Sequence, residues 1–345
     1  MIIALIFACY AIIMSIAVLR WYPRNYDKEQ TFSIVVAFRN EAKVILNLLH
    51  SLEKLDYPED KFEVYLVDDA STDESPAIVA DFFKNKSNMH LLRLTEKSKE
   101  YLGKKAALKL GVETAKNEII LFTDGDTIVP IQWLRSMNSY FTPETGMVIG
   151  YVRGKYLSWL KRFKRIISLG IFAATAGMGT AFSCSGGNLA VRKKAFDEVE
   201  GYDTVKSYIS GDDKLLLNLI RKTKWKIAFN SDVKVIEVNR GDSLTEYINR
   251  EKRQMGKFNM TSPLYKVVFL TMFAFFIWLP VYLIQTKSLM PIVPFFTGAV
   301  FFYIASCIRL KEKINPFDLL LFVILPYHMF LFSIWGSLSS YSWKN

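Results

Sequence analysis

The sequence predicts an α/β domain with a mostly parallel sheet, joined to about four transmembrane helices. Two observations lead to this prediction. Four long apolar segments lie at the ends of the 345-residue chain, one before and three after a polar stretch. Within that stretch, short strand-like runs alternate with segments of helical periodicity, a pattern typical of parallel strands covered by helices on both faces.

The apolar segments have the length of membrane-spanning helices. They are Met1–Leu19, Leu264–Leu283, Leu289–Ile308 and Phe317–Leu338, and a helix of about 20 residues crosses the hydrocarbon core. The first segment lacks the basic start and the small-residue cleavage site of a signal peptide, so we expect an uncleaved anchor. The chain therefore divides into an N-terminal helix (1–20), a polar domain (21–263) and a membrane domain of three helices (264–345).

Basic residues predict the orientation in the membrane. They are concentrated after the first and third apolar segments, namely Arg20, Arg24, Lys28, Arg309, Lys311 and Lys313. By the positive-inside rule, the polar domain and the connection between the last two helices lie in the cytoplasm. We therefore expect an integral protein of a bacterial-type inner (plasma) membrane. Although the formal charge is +11, no nucleic-acid partner is expected.

The polar domain begins with four predicted strands. The strands are Phe32–Phe38, Phe62–Val67, His90–Leu94 and Glu118–Phe122, and helical spacing is found in Val44–Leu55, from about Pro76, and in Lys104–Lys116. In open α/β sheets, ligands bind beyond the carboxyl ends of the strands. Polar side chains that directly follow these strands are therefore expected to gather at one edge of the sheet.

Two carboxylates separated by a glycine follow the fourth strand, in the sequence FTDGD. Residues two apart share one face of a strand, and Gly125 lets the chain turn, so Asp124 and Asp126 are expected to face the same way. Hard divalent ions often take one or two carboxylates together with substrate phosphates. A metal site is one interpretation; an ordinary surface turn is the other, because Asp-Gly is a common turn signal.

Other polar residues lie at equivalent places. Asp68 and Asp69 follow the second strand, where a carboxylate could accept the imide hydrogen of a uracil-type base or could simply cap a turn. Lys104 follows Gly103 at a predicted helix start, where it could bind a diphosphate. The alternative for Lys104 is a solvated surface lysine.

These segments resemble the family 2 glycosyltransferases, which have the GT-A fold and take sugars from nucleotide-sugar donors. The matching segments are SIVVAFRNE, VDDASTDES, GKKAALKLG and FTDGD, and the resemblance extends from about Phe32 to about Gly256. It implies donor contacts from Ala37, Glu41, Asp68 or Asp69, Lys104 and Asp124. It also implies a Mg²⁺ or Mn²⁺ ion held by Asp126 with support from Asp124.

The same resemblance assigns an acceptor side. Gly186, Gly187 and Asn188 lie in a segment that resembles the glycine turn, strand and short helix beneath the acceptor, although two glycines could also form an ordinary tight turn. The acidic pair Asp212-Asp213 matches the family's catalytic position, with Asp213 as the base and Asp212 as its neighbour. A base across the sugar from the leaving diphosphate implies inversion at the anomeric carbon. An acidic helix start is the structural alternative.

The end of the polar domain departs from the family pattern. Members with membrane acceptors commonly carry Gln-x-x-Arg-Trp, whereas this chain has Arg250-Glu251-Lys252-Arg253-Gln254. Arg253 is kept as a cation for the leaving diphosphate. Because the Trp contacts the polymer in processive synthases, its replacement weakens a polysaccharide-synthase interpretation.

In residues 156–183, four basic residues (Lys161, Arg162, Lys164 and Arg165) precede an Ala- and Gly-rich run from Ile166 to Phe182. If it crossed the membrane, Asp126 and Asp213 would lie on opposite sides, so we expect a helix in the membrane interface. A core helix of a soluble domain is the alternative.

Together these features predict an inverting, metal-dependent glycosyltransferase. The expected donor is a nucleotide sugar, a UDP-sugar, and the expected acceptor is a membrane lipid such as polyprenyl phosphate or a glycolipid. Two alternatives stay open: a processive polysaccharide synthase, and a catalytically silent membrane protein that binds nucleotide sugars and regulates a synthase.

Overall fold

The computed structural model describes residues 2–20, 22, 24, 28–96, 98, 100–155, 157–238, 244–255 and 263–338. The chain forms two compact units. The sheet unit comprises residues 21–156, 179–240 and 342–345, and the helical unit comprises residues 1–20, 157–178 and 241–341.

The helices of the described residues are α1 (Ile2–Val18), α2 (Ile45–Glu53), α3 (Ser75–Phe83), α4 (Lys105–Thr114), α5 (Trp133–Tyr140), α6 (Trp159–Gly177), α7 (Lys193–Glu198), α8 (Asp212–Ile220), α9 (Leu244–Met255), α10 (Pro263–Thr286), α11 (Ile292–Leu310) and α12 (Leu321–Leu338). Short 3₁₀ turns lie at Glu59–Lys61, Asp203–Val205 and Pro316–Leu320. The strands are β1 (Phe32–Phe38), β2 (Phe62–Asp69), β3 (Met89–Leu94), β4 (Ile119–Phe122), β5 (Thr127–Ile128), β6 (Thr145–Gly154), β7 (Leu189–Arg192) and β8 (Lys226–Glu237).

The strands form one mixed sheet in the order β3-β2-β1-β4-β7-β6-β8-β5. Strands β3, β2, β1 and β4 are parallel neighbours, β6 pairs in parallel with β8, and β7 and β5 run antiparallel to their neighbours. The predicted mostly parallel sheet is confirmed. The strand and short helix expected after Asn188 are also present, as β7 and α7.

Continuous burial explains the apolar sequence of β1. Every residue of β1 is buried, as expected for a strand covered on both faces. On one face, Ile34 and Val36 share a core with Leu48 of α2. On the other face, Gly111 of α4 lies against the side chains of Val35 and Val67. This packing fixes the strand ends from which the polar loops extend.

The helical unit contains three helices that are long and apolar enough to cross a membrane. They cover Phe269–Thr286, Ile292–Leu310 and Pro316–Gly336, which coincide with the three predicted spans near the C-terminus. The apolar helix α1 has 17 residues, which is at the short end of the range for a spanning helix. The expected set of about four apolar helices is therefore present.

Helix α6 occupies most of the predicted interfacial segment. It packs against α1 and α11 and belongs to the helical unit, which disfavours the soluble-core alternative. Its first turns are joined to the connection between α11 and α12. Arg162 Nη1 lies 2.7 Å from Asp318 Oδ2, and Trp159 Nε1 donates to Asp318 Oδ1 at 2.5 Å. Tyr303 donates its hydroxyl to the same carboxylate at 2.5 Å. The basic start of α6 and this connection therefore meet at one end of the helical unit.

Candidate active site

The loops that follow β1 and β2 are joined by hydrogen bonds. The amide of Glu41 donates to Ser75 Oγ at 2.7 Å, and Asn40 Oδ1 accepts from the amide of Thr72 at 2.8 Å. Glu41 and Ala37 are almost completely buried, with 7% and 6% of their surface exposed. The residues predicted to contact the nucleoside therefore lie on a rigid part of the sheet edge.

Asp68 and Asp69 are both buried at the end of β2. Asp68 Oδ1 accepts from the amide of Ser71 at 2.9 Å, while its Oδ2 lies 3.6 Å from Arg93 Nε. Arg39 donates to the backbone carbonyl of Asp69 at 3.2 Å. Asp68 thus forms the turn considered as its structural alternative, and the turn fixes its carboxylate at the edge where the nucleoside is expected.

The Asp124-Gly125-Asp126 turn connects β4 to β5. A Cβ on Gly125 would lie 3.1 Å from Phe38 Cβ and 3.4 Å from Glu41 Cγ, so only glycine fits this close approach without displacing a neighbour. Thr127 Oγ1 donates to the carbonyl of Asp124 at 2.7 Å. The turn therefore lies directly beside the loop that carries Glu41.

Lys104 lies between two carboxylates. Its Nζ is 2.8 Å from Asp124 Oδ1 and 3.6 Å from Asp212 Oδ2, and 18% of its side chain is exposed. Burial alone would lower the pKa of Lys104, but the charges of Asp124 and Asp212 outweigh burial and place its pKa above the ordinary value. Lys104 is therefore a charged residue of a cleft rather than the solvated surface lysine considered as the alternative.

Asp212 and Asp213 begin α8 and face the glycine segment. Asp213 Oδ2 accepts from the amide of Gly186 at 3.0 Å, and its Oδ1 accepts from the amide of Lys214 at 2.8 Å. The cleft between these elements is lined by Lys104, Leu108, Phe122, Thr123, Gly186, Leu189, Tyr202, Asp212 and Asp213. A cation and two carboxylates from distant parts of the sequence therefore share one cleft.

The two residues after Gly186 have different surroundings. A Cβ on Gly187 would lie 3.1 Å from Asp124 Oδ2, so this glycine borders the cleft. Asn188 is fully buried; it accepts from Trp133 Nε1 at 2.9 Å and donates to the carbonyl of Tyr151 at 3.1 Å. The expectation that Asn188 contacts the acceptor is not supported, because both ends of its amide are engaged in the core.

Thr123 and Tyr202 line the cleft but were not among the predicted site residues. Thr123 Oγ1 donates to the carbonyl of Gly187 at 2.8 Å, joining the end of β4 to the glycine segment. Tyr202 packs edge-on against Phe122 and Phe196, and burial raises the pKa of its hydroxyl. One sequence signal could have identified Tyr202: it is an aromatic residue directly after the Glu200-Gly201 turn.

Asp124 and Asp126 are the carboxylates predicted to bind a divalent ion. Among the described residues, no group of three His, Cys, Asp or Glu side chains is placed to enclose a metal. Asp124 and Asp126 instead offer hard oxygen ligands at a sheet edge, and Gly187 leaves space beside Asp124 Oδ2. Such a pair fits Mg²⁺ or Mn²⁺ when diphosphate oxygens and water supply the remaining ligands.

Arg253, the predicted cation for the leaving group, belongs to α9. Its side chain lies outside the described residues, so its role stays a prediction.

Comparison with known proteins gives the family. The model of glycosyl transferase family 2 matches residues 33–200, and the model of glycosyl transferase family group 2 matches residues 119–342. A beta-monoglucosyldiacylglycerol synthase from Nostoc sp. is 30% identical over 219 residues, which cover 59% of this chain and 45% of the synthase. The chain therefore spans less than half the length of that relative.

Two further proteins show similarity. A poly(ribitol-phosphate) beta-N-acetylglucosaminyltransferase from Staphylococcus aureus is 34% identical over 109 residues, 32% of this chain and 18% of that protein. Among solved structures, a mannosyltransferase from Pyrobaculum calidifontis, in complex with GDP-Man and Mn²⁺, superposes with a TM-score of 0.62 at 18% identity. The superposition covers 97% of this chain and 98% of that one. With its mixed sheet and its family matches, the chain belongs to the family 2 glycosyltransferases and has the GT-A fold.

Proposed function

We propose that this glycosyltransferase moves one sugar from a UDP-sugar to a membrane lipid, with inversion at the anomeric carbon. One observation supports this most strongly: Lys104 lies between Asp124 and Asp212, in the cleft that also contains Asp213. A cation suited to a diphosphate and a carboxylate suited to proton removal are the two groups that a single displacement needs.

The donor is proposed to bind along the sheet edge. Its nucleoside lies beside Ala37 and Glu41, where Asp68 or Asp69 accepts the imide hydrogen of the base. When bound, a Mg²⁺ or Mn²⁺ ion held by Asp126 and Asp124 neutralises charge on the diphosphate. Because Asp124 would then be engaged with the ion, Lys104 is proposed to turn towards the phosphate oxygens, with which its ammonium forms charge-assisted hydrogen bonds.

Asp213 is proposed to act as the base. Its two oxygens already accept hydrogen bonds from the amides of Gly186 and Lys214, which fix the orientation of the carboxylate. The acceptor oxygen forms a bond to the anomeric carbon while the bond from that carbon to the diphosphate oxygen breaks. The acceptor's proton moves to Asp213, and the electron pair of the broken bond leaves with the diphosphate, where Arg253 is proposed to stabilise the charge.

The apolar helices support a lipid acceptor. Three of them are long enough to cross a membrane, and the similar Nostoc protein is named for a glucosyl lipid product. A polymer acceptor is the second candidate, favoured by the similar staphylococcal protein, which is named for a poly(ribitol-phosphate) acceptor. The absence of the family's Trp after Arg253 disfavours processive elongation in this chain.

The test is an incubation of the purified protein in lipid nanodiscs with labelled UDP-glucose, UDP-N-acetylglucosamine or GDP-mannose, Mn²⁺ and a lipid extract. A lipid product with one added sugar supports the proposal, and the one-bond C1–H1 NMR coupling of that sugar reports inversion. A ladder of products would instead support a polymerase. Donor binding without any product would support the silent regulator.

A further inference from the structure

Two segments that contain or directly precede proposed site residues contact each other. The first, residues 101–105, leads into α4 and contains Lys104. The second, which we call the 206–210 loop, directly precedes Gly211-Asp212-Asp213. The amide of Leu102 donates to the carbonyl of Lys206 at 3.0 Å. The position of one segment therefore affects the position of the other.

Lys105 lies at the centre of this contact. Its side chain is buried, with only 1% of the residue exposed. Its ammonium donates to the carbonyl of Leu102 at 3.3 Å and to the carbonyl of Tyr208. Burying an ammonium without hydrogen-bond partners is costly. The two carbonyls therefore stabilise the buried Lys105, and Lys105 in turn joins the two segments that carry them.

Gly103 brings the two backbones together at the same place. It has φ +71°, and a Cβ at this position would collide with the carbonyl of Ile209. Glycine is thus required both for the left-handed conformation and for the close approach. The contact is therefore made by the backbone of both segments.

One side chain of the 206–210 loop adds to this contact, since Lys206 pairs with Glu100 at 2.6 Å, whereas its central residues are open to solvent. The side chains of Tyr208 and Ile209 are exposed, at 44% and 41%. By contrast, α4 is fixed on the sheet by buried residues such as Ala107 and Leu108. We therefore expect that loss of the Lys105 contacts would shift the 206–210 loop more than α4.

We infer that Lys105 is a positioning residue, which holds the 206–210 loop against the start of α4 and thereby sets the placement of Asp212 and Asp213 relative to Lys104. This inference rests on the proposed function of those three residues. Lys105 is proposed to act through the loop, because its ammonium faces the carbonyls of Leu102 and Tyr208. The present separation, 3.6 Å between Lys104 Nζ and Asp212 Oδ2, is the quantity that Lys105 controls.

The experiment compares four variants with the wild type by hydrogen–deuterium exchange and by sugar-transfer kinetics. Lys105→Met removes the ammonium, Lys105→Arg keeps a cationic donor, and Gly103→Ala separates the backbones while leaving Lys105 intact. Lys86→Met is the matched control, because Lys86 precedes β3 at the amino ends of the parallel strands, whereas residues 101–105 follow β3, and because it pairs with Glu53 at 2.5 Å.

In Lys105→Met and Gly103→Ala we expect faster exchange of the amides in residues 206–213. We also expect kcat to fall by about tenfold to 100-fold, the effect of a displacement near 1 Å, with a smaller change in KM for the donor because α4 and Lys104 stay in place. Lys105→Arg should restore part of kcat, and Lys86→Met should change neither measurement.

Unchanged exchange in Lys105→Met would overturn the inference, and so would faster exchange with wild-type kcat. If Lys105→Met does not fold, Lys105→Gln and Gly103→Ala provide the same comparison. If the wild type transfers no sugar, the proposed function fails. The exchange rates still decide whether Lys105 holds the loop.

Discussion

The carboxylate of Asp213 accepts a hydrogen bond from the amide of Gly186 at 3.0 Å. The two residues come from different parts of the fold, the first turn of α8 and the segment before β7. Their contact places the proposed base against the backbone of the glycine segment, so the carboxylate has one orientation before any acceptor binds. Preorganisation of this kind lowers the cost of reaching the reactive geometry.

We expect Asp213→Asn to abolish transfer and to preserve donor binding. Asparagine keeps the size of the side chain and an oxygen for the Gly186 amide, but it cannot take a proton. Loss of a general base costs about 10²- to 10⁴-fold in rate. The measurement is kcat for transfer beside the calorimetric Kd for the UDP-sugar.

The control for this variant is Asp56→Asn, since the side chain of Asp56 is 42% exposed and pairs with Arg135 at 3.0 Å. Transfer by Asp213→Asn at a rate near that of the wild type would show that another residue is the base.

Lys104→Met should weaken nucleotide-sugar binding. The ammonium of Lys104 is the charged group that the cleft offers to a diphosphate, and hydrogen bonds to charged groups contribute about 1.5–3 kcal/mol. We therefore expect Kd for the UDP-sugar to rise by at least about tenfold. Lys116→Met, which changes an exposed lysine just after α4, should leave Kd unchanged. Equal affinities for wild type and Lys104→Met would exclude Lys104 as the diphosphate ligand.

The contribution of Lys104 should not depend on pH in the neutral range. Asp124 and Asp212 outweigh burial and raise its pKa above the ordinary value, which is about 10.4. A lysine whose pKa is raised in the folded protein stays charged at neutral pH and loses its proton only as the pH rises to that raised pKa. The ratio of Kd between Lys104→Met and wild type should therefore stay constant from about pH 6 to about pH 9. A ratio that falls towards one within this range would mean that Lys104 loses its proton there.

Metal removal should affect donor binding before any chemistry occurs. Asp126 and Asp124 alone cannot complete the coordination of a divalent ion, so diphosphate oxygens are expected to share it. Chelation with EDTA should weaken binding of the UDP-sugar, and added Mn²⁺ should restore it. In Asp126→Asn, higher Mn²⁺ concentrations should be needed for the same affinity. UDP-sugar binding that is indifferent to EDTA would contradict a metal at this site.

The sequence predicts the first half of the sheet better than the second. Strands β1, β2 and β4 are mostly apolar runs that end beside polar residues, so their bounds are visible. Strand β5 has two residues, Thr127 and Ile128, and exists because it pairs with Glu237 and Ile236 of β8. No local pattern could show that pairing, since the partner lies more than one hundred residues later.

The site shows the same limit. The motif around Asn188 indicates a glycine turn, but its burial depends on the indole of Trp133, which only the folded chain brings near. The sequence alone is compatible with Lys104 at the surface, whereas the fold places Lys104 between Asp124 and Asp212. Residue type and strand position predict which side chains gather, whereas the partners that fix each one come from distant segments.

The ion pair of Arg162 and Asp318 should stabilise the helical unit. Asp318 is fully buried and Arg162 is 22% exposed, with 2.7 Å between Nη1 and Oδ2. Removing one partner of a buried pair typically costs about 3–5 kcal/mol, because the other charge is left without compensation. Arg162→Met should therefore lower the thermal midpoint in detergent more than Asp318→Asn, since Arg162 can still reach water.

A double-mutant cycle tests this pair. In the variant that carries both changes, the loss should be smaller than the sum of the single losses, because neither charge remains unpaired. Asp81→Asn with Lys84→Met is the matched control, an exposed pair at 2.6 Å whose removal should hardly shift the midpoint. Additive losses for Arg162 and Asp318 would show that the two charges do not stabilise each other, and that Trp159 and Tyr303 alone hold Asp318.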